Sequence, residues 1–253
     1  MTVCYFSATG NSLYVAKRIG GRLLSIPHLM KTGQLEITDD AVGIVCPVYA
    51  VEMPMMVREF LSRATIKTDY FFFIYTYGSG YAEAFAHARL AAEEAGLKMS
   101  YVNAIQMVDN YLPMFEMQQQ MDTLGQKDVE GQLWQVLRDI ETRQERTVTI
   151  TLETMRQIEL YRKMLAFPIL RKDTAQGYLV NDSCTHCGIC ARVCPADNIT
   201  VTEDQVIFAT RCEVCYACLQ NCPRNALHMS SERSAVRFRN EHIKLKEIME
   251  ANE

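Results

Sequence analysis

Eight of the ten cysteines crowd between Cys184 and Cys222, and each half of that stretch spells C-x2-C-x2-C-x3-C-P. The first run is Cys184, Cys187, Cys190, Cys194 and Pro195; the second is Cys212, Cys215, Cys218, Cys222 and Pro223. Thiols packed this tightly suit metal ligation better than disulfides. Three cysteines at this spacing let a tight loop wrap three corners of an iron–sulfur cube and point backbone N–H groups at its sulfurs. A fourth local ligand would fold the loop back on itself, so the fourth corner is expected from elsewhere. Structural zinc is the rival reading, but it usually takes four thiolates from two separated C-x2-C knuckles. His186, inside the first loop, reads as an exposed loop residue, because cysteine already supplies every corner. Cys4 and Cys46 fall in expected buried strands and read as small hydrophobic filler.

A second chemical pattern stands at the start of the chain. The run Ser7, Ala8, Thr9, Gly10, Asn11, Ser12 follows a short apolar stretch and precedes a helical one. Gly10 permits backbone conformations closed to other residues, and the N–H groups opening the helix can then receive a phosphate. Serine, threonine and asparagine add neutral donors, and the loop holds no lysine or arginine. It is neither G-x-x-x-x-G-K-[ST] nor G-x-G-x-x-G, which disfavours nucleoside triphosphate hydrolysis and nicotinamide binding. Taken alone, it is also compatible with a polar turn and a helix cap.

Both patterns need a scaffold. Strands are expected at Val3 to Phe6, Ala41 to Cys46, Tyr70 to Thr76 and Met99 to Val108. Between them come helical faces: Leu13, Ala16, Gly20, Leu23 and Leu24; Met56, Val57, Phe60 and Leu61 after Pro54; and Phe85, Ala88, Ala92 and Ala95 within Ala82 to Ala95. Val129, Leu133, Val136, Leu137 and Ile140 mark a further helix. Strands that are apolar throughout, separated by helices, imply an α/β fold with a parallel sheet covered on both faces. Lys31 to Asp40 is short on strand signal, and 113–175 carries no assignable motif. Leu152 to Leu165 reads as a helix running through Pro168, Arg171 and Lys172 as a connector. The divisions are therefore 1–150, a connector at 151–175, the cysteine module at 176–231, and a charged tail at 232–253 expected as a surface helix.

Bulk composition excludes several classes. Apolar residues make up 49% and charged residues 22%, which argues against disorder. A net charge of −4 gives no field for nucleic acid. The N-terminus MTVCYFSATGNS lacks a cationic segment ahead of an apolar run, so it does not read as a signal peptide. Pro47, Glu52 and Pro54 interrupt the most apolar stretch, Ala41 to Val57, so no membrane insertion is expected. The expected location is cytoplasmic.

The cysteine runs resemble those of bacterial two-[4Fe–4S] ferredoxins. In that family the fourth cysteine of each run serves the other cluster. The resemblance implies one cluster on Cys184, Cys187, Cys190 and Cys222, and a second on Cys212, Cys215, Cys218 and Cys194. The N-terminal block resembles flavodoxin-type FMN domains, whose phosphate loop has the form [ST]-x-T-G-[NT]-[ST]. That likeness implies a doubly wound sheet, FMN as cofactor, and ring contacts from Pro47, Val48, Tyr49 and Ala50 and from Thr76, Tyr77, Gly78, Ser79 and Gly80. A third ring contact is implied at Asp109, Asn110 and Tyr111. As a whole the chain resembles the flavodoxin–ferredoxin fusion proteins of anaerobic bacteria and archaea, with a smaller α+β ferredoxin domain at the C-terminal end.

The first expected function is an electron carrier with FMN and two clusters, acting between redox partner proteins. A flavin-dependent reductase of a small molecule is the second. His28, His87, His228 and His242 are dispersed, and no acid–base constellation supports it. A cluster-based regulator ranks last, without a helix-turn-helix or basic face.

Overall fold

The computed structural model describes residues 1–81, 83–165 and 173–253, with backbone alone at 161, 162, 164 and 165. Five parallel strands form the main sheet: β1 (Thr2–Tyr5), β2 (Arg22–Ser25), β4 (Ala41–Pro47), β6 (Tyr70–Tyr77) and β7 (Met99–Gln106). A two-stranded parallel ribbon of β3 (Glu36–Thr38) and β5 (Thr65–Lys67) stands beside it. Spatial order in the sheet is β2-β1-β4-β6-β7. Counted among themselves the five strands run 2-1-3-4-5, a doubly wound order in which direction reverses between β1 and β4. The loops leaving those two strands diverge there and open a crevice.

Sequence explains the central position of β4 and β6. AVGIVC and YFFFIYT offer apolar side chains to both faces, and nearly every one is buried. Helices α1 (Asn11–Ile19), α2 (Ile26–Thr32), α3 (Met55–Arg63), α4 (Ala84–Glu94) and α6 (Val129–Glu141) supply the covers, whereas Met117 of α5 (Met117–Asp122) joins the apolar cluster of the cysteine module and α7 (Leu152–Leu165) leaves Leu152, Met155 and Leu160 exposed. α1 packs with α6, and α3 with α2 and α4. A doubly wound sheet of this strand order carries its helices on both faces, α1 with α6 in one group and α2, α3 and α4 in the other. Phe6, Phe60, Phe71, Phe72, Phe73, Tyr75 and Tyr101 fill the core.

The first helix is shorter than its apolar face suggests. It stops at Ile19, and Gly20 and Gly21 turn the chain with φ of 81° and 80°. Leu23 and Leu24 therefore belong to β2, paired with Val3 and Cys4, and not to the helix. Two consecutive left-handed residues cannot continue a helix, and the turn they form returns the chain to β1. The stretch Lys31 to Asp40 contains the short β3. Ala82, Pro168, Arg171 and Lys172 lie outside the described residues.

The cysteine module repeats in space as it does in sequence. β8 (Tyr178–Val180), α8 (Ile189–Arg192) and β9 (Ile199–Val201) recur in the second half as β10 (Val206–Phe208), α9 (Ala217–Gln220) and β11 (Leu227–Met229). Left-handed residues recur in the same register: His186 with Val214, Gly188 with Tyr216, Asp197 with Asn225. β8 pairs with β11 and β9 with β10, both antiparallel, so each ribbon takes one strand from each half. The halves are thus interlocked.

The tail departs from a surface helix. Its helix α10 covers only Leu245–Glu250, and Phe238, Asn240, Ile243, Ile248 and Ala251 are buried. Asn240 N–H donates to Thr9 O at 2.8 Å, and Lys17 pairs with Glu247 at 2.6 Å. Ser25 and Lys31 donate to the carbonyls of Ala251 and Asn252, and Arg192 pairs with Glu253 at 2.5 Å. Val236 stays exposed, but Phe238, Ile243, Ile248 and Ala251 are buried against the rest of the chain; the segment is a strap across both parts of the molecule.

Candidate functional site

The eight cysteines separate into two groups of interacting thiols. Cys190 is influenced by Cys222, Cys187 and Cys184. Cys218 is influenced by Cys215, Cys194 and Cys212, and more weakly by Cys190. Each group draws its fourth member from the other half, as the exchanged strands do. Backbone N–H groups are aimed at sulfur: Asn198 to Cys194 and Ala226 to Cys222, an equivalent pair in the two halves, both at 3.3 Å, and Val214 to Cys212 at 3.3 Å.

Burial pushes the Cys190 thiol up to about 11 and the Cys215 and Cys218 thiols well above the ordinary range. Thiolates there need a strong local positive charge, which iron would supply. All-cysteine donors, N–H groups directed at sulfur and loops wrapping three thiols fit [4Fe–4S] clusters. Among the described residues, no three His, Cys, Asp or Glu side chains are arranged to hold a single metal ion. A cubane binds each thiolate through a different iron and needs no common point.

The two groups differ in surroundings. Cys194, Cys212, Cys215 and Cys218 are all buried, whereas in the first group only Cys190 is buried, Cys187 is exposed and Cys184 and Cys222 are half-buried. His186 is half-buried in the first loop. Cys4 and Cys46 are fully buried in β1 and β4, and burial pushes the Cys4 thiol up to about 12.

A cavity of about 430 Å³ opens at the carboxyl ends of β1, β4, β6 and β7, within the size range of small-molecule sites. Every residue expected at the FMN site lines it, Gly10 excepted. Gly10 caps α1 with φ 99°, and its Cα instead faces the strap, where a Cβ would come within 3.0 Å of Asn240 and Ile243. No side chain caps α1, so its first N–H groups stay available to an anion. Asp109 is the one charged residue among the described lining residues.

Hydrogen bonds tie the four loops together. Ser12 Oγ and Thr76 Oγ1 are 2.8 Å apart, Asn110 Nδ2 donates to Thr9 Oγ1 at 2.6 Å, and Asn11 Nδ2 donates to Val108 O at 3.1 Å. Ser79 Oγ donates to Asp109 at 2.8 Å. After β4 the chain makes a tight hairpin, with reciprocal bonds between Tyr49 and Glu52 at 2.7 and 3.0 Å. Ala50 and Val51 take φ of 48° and 70° at its tip, a strained pair where glycine or asparagine is usual. Both line the cavity.

No motif announces the remaining wall. Val108, Met114 and Phe115 contribute, and so do Val214 and Tyr216 from inside the second cysteine loop. Tyr216 packs against Tyr111 with ring centroids 5.8 Å apart. Glu213, 6% exposed, accepts the Met56 N–H at the start of α3 at 3.0 Å. Asn221 donates to Ala8 O and Gln220 to Asn110 O, each at 3.1 Å. Aligning the two cysteine runs puts Glu213, Val214 and Tyr216 in place of Thr185, His186 and Gly188, the only available hint that the second loop faces something larger.

Comparisons with known proteins bear on one part of the chain. No curated protein matches it. The Trp repressor binding protein from Bacillus subtilis is similar in structure, at 10% identity and a TM-score of 0.31. That match covers 42% of this chain and 83% of the other, a likeness too loose to support any argument. No helix among the described residues is long and apolar enough to cross a membrane. Residues 177–223 match the 4Fe-4S dicluster domain family, which supports iron–sulfur electron transfer as the work of this part of the molecule.

Proposed function

We propose that the chain is an electron carrier that holds one FMN and two [4Fe–4S] clusters and works between redox partner proteins. One cluster would sit on Cys184, Cys187, Cys190 and Cys222, the other on Cys212, Cys215, Cys218 and Cys194. Residues 1–150 would be the FMN domain and 176–231 the ferredoxin domain, with 151–175 linking them. When bound, these groups supply one-electron exchange at each cluster and one- or two-electron exchange at the flavin.

The chain's own residues fit the phosphate end with neutral donors: the N–H groups opening α1, with Ser7, Thr9, Asn11 and Ser12 around them. Tyr49, Tyr77 and Tyr111 offer aromatic walls at the ring end, and Ser79 and Asn110 hold the loops in place. The observation that carries the reading is the shared wall. Val214 and Tyr216 belong to the second cysteine loop and line the same cavity as the phosphate loop, so the two redox sites adjoin. The exposed Cys187 makes the other cysteine group the natural face for a partner protein.

An anaerobic absorption spectrum with iron, sulfide and flavin quantitation tests this. About eight irons, about eight sulfides and about one FMN per chain are expected. Zinc in place of iron overturns the cluster assignment. Protein without flavin that cannot be reconstituted with FMN overturns the cavity assignment.

A further inference from the structure

Two asparagines from the C-terminal part of the chain reach the loop that opens α1. Asn221 follows α9, and its Nδ2 donates to Ala8 O at 3.1 Å and to Ala217 O at 2.9 Å. Asn240 lies in the strap. Its backbone N–H donates to Thr9 O at 2.8 Å, and its Nδ2 donates to Asn11 Oδ1 at 3.1 Å. Its Oδ1 accepts the His242 N–H at 3.1 Å, which fixes the orientation of the amide. Both asparagines are buried, and neither is among the residues lining the cavity.

These bonds decide which way the peptides of the loop point. The carbonyl and the following N–H of a planar trans peptide point in opposite directions. Holding the carbonyls of Ala8 and Thr9 toward the asparagines therefore turns the N–H groups of Thr9 and Gly10 to the other side. The same two carbonyls stand four residues before Ser12 and Leu13, whose N–H groups they would take in a continuous helix. Among the described residues, no N–H from Thr9 to Leu13 has a protein acceptor. Buried backbone donors without an acceptor are rare, and here they follow one another along a single loop beside the cavity. The Asn11 amide is held at both ends, by Asn240 at Oδ1 and by its own donation to Val108 O at 3.1 Å. It braces the start of the helix.

We infer that Asn221 and Asn240 are positioning residues for the phosphate of FMN, holding the carbonyls of the loop and the Asn11 side chain so that the N–H groups are left for the anion. The inference rests on the electron-carrier reading and adds that the C-terminal part of the chain completes the flavin site from behind. Neither asparagine lines the cavity, so the effect of each falls on the phosphate end and leaves the ring end alone.

The test is a titration of the full chain, with clusters in place and flavin removed, using FMN and then riboflavin, which lacks only the phosphate. Asn240→Ala and Asn221→Ala are each expected to weaken FMN binding about tenfold, the equivalent of one hydrogen bond. Riboflavin binding is expected to stay unchanged, so the preference for FMN shrinks. Asn252 is the control, a buried strap asparagine whose amide donates to Val193 O and Ile248 O and not to the loop. Asn252→Ala is expected to keep the full preference for FMN. Where an alanine variant does not fold, the serine variant at the same position replaces it, with its polar atom one bond short of the loop. Unchanged FMN affinity, or equal losses for FMN and riboflavin, overturns the inference while the carrier reading stands. Wild-type protein that binds neither flavin overturns the flavin part of that reading itself.

Discussion

The two cysteine loops share a backbone and differ in what surrounds them. Both place residues in the left-handed region at matching positions, start a short helix at the same point and direct N–H groups at sulfur. The first uses His186 and Gly188 at those positions, and its Cys187 is exposed. The second uses Val214 and Tyr216, whose φ values of 53° and 57° are unfavourable for a β-branched and an aromatic residue. The unfavourable residues are those that wall the cavity. One backbone thus serves an outer loop and a loop that walls the cavity, with different side chains at the two matching left-handed positions.

Removing a ligand from each loop has the largest expected effect. Cys187→Ala and Cys218→Ala are each expected to lower iron from about eight to about four per chain. Only Cys218→Ala is expected to weaken FMN retention as well, because its loop forms part of the cavity wall. Cys222→Ser is expected to perturb the same electron paramagnetic resonance signal as Cys187→Ser, which checks the exchange of the fourth thiolate. A perturbation of the other signal would break the pairing.

Cutting the inward loop from its support comes next. Glu213→Ala leaves the Met56 N–H without its acceptor and is expected to cost about 1–3 kcal/mol in denaturant unfolding. Thr185→Ala, the equivalent change in the outer loop, is expected to stay within about 0.5 kcal/mol. Equal effects would remove the asymmetry.

The left-handed positions give a smaller, opposed pair. Gly188→Tyr is expected to destabilise by about 1–2 kcal/mol, since it imposes on the first loop the strain that Tyr216 carries in the second. Val214→Gly relieves the strain at the other left-handed position while shortening the cavity wall. Stability is expected to change by less than about 1 kcal/mol, with a measurable loss of flavin affinity.

The smallest expected effect concerns the strap. The Glu247 carboxyl is held below its ordinary range, first by its hydrogen bond from Lys17. A folded value below the unfolded one means that the contribution is complete above about pH 4.3. It is lost as pH falls through the folded value. Lys17→Met is expected to cost less than about 1 kcal/mol at neutral pH, and less still in acid or high salt. Thermal unfolding at the two pH values checks it.

Much of this molecule is legible from local pattern. Apolar runs mark β1, β4, β6 and β7, because strands covered on both faces need no polar residues. Cysteine spacing marks both cysteine loops, because C-x2-C-x2-C is itself the pattern of one tight local turn. The run from Ser7 to Ser12 marks an anion-ready helix start for a similarly local reason. β2 escaped notice because Leu23 and Leu24 fit the preceding helical period as well as a strand, and only the left-handed Gly20 and Gly21 separate the two.

What tertiary structure alone decided was adjacency. Sequence periodicity reports which face of an element is apolar and says nothing about which distant element will cover it. The apolar residues of the tail could have lined a free helix; they hold a strap against Gly10 and α1 instead. Val214 and Tyr216 carry no motif, since their role depends on a cavity built by residues from the far end of the chain. The thiol groups, the strand exchange and the shared wall are all long-range contacts, and long-range contacts are settled by packing.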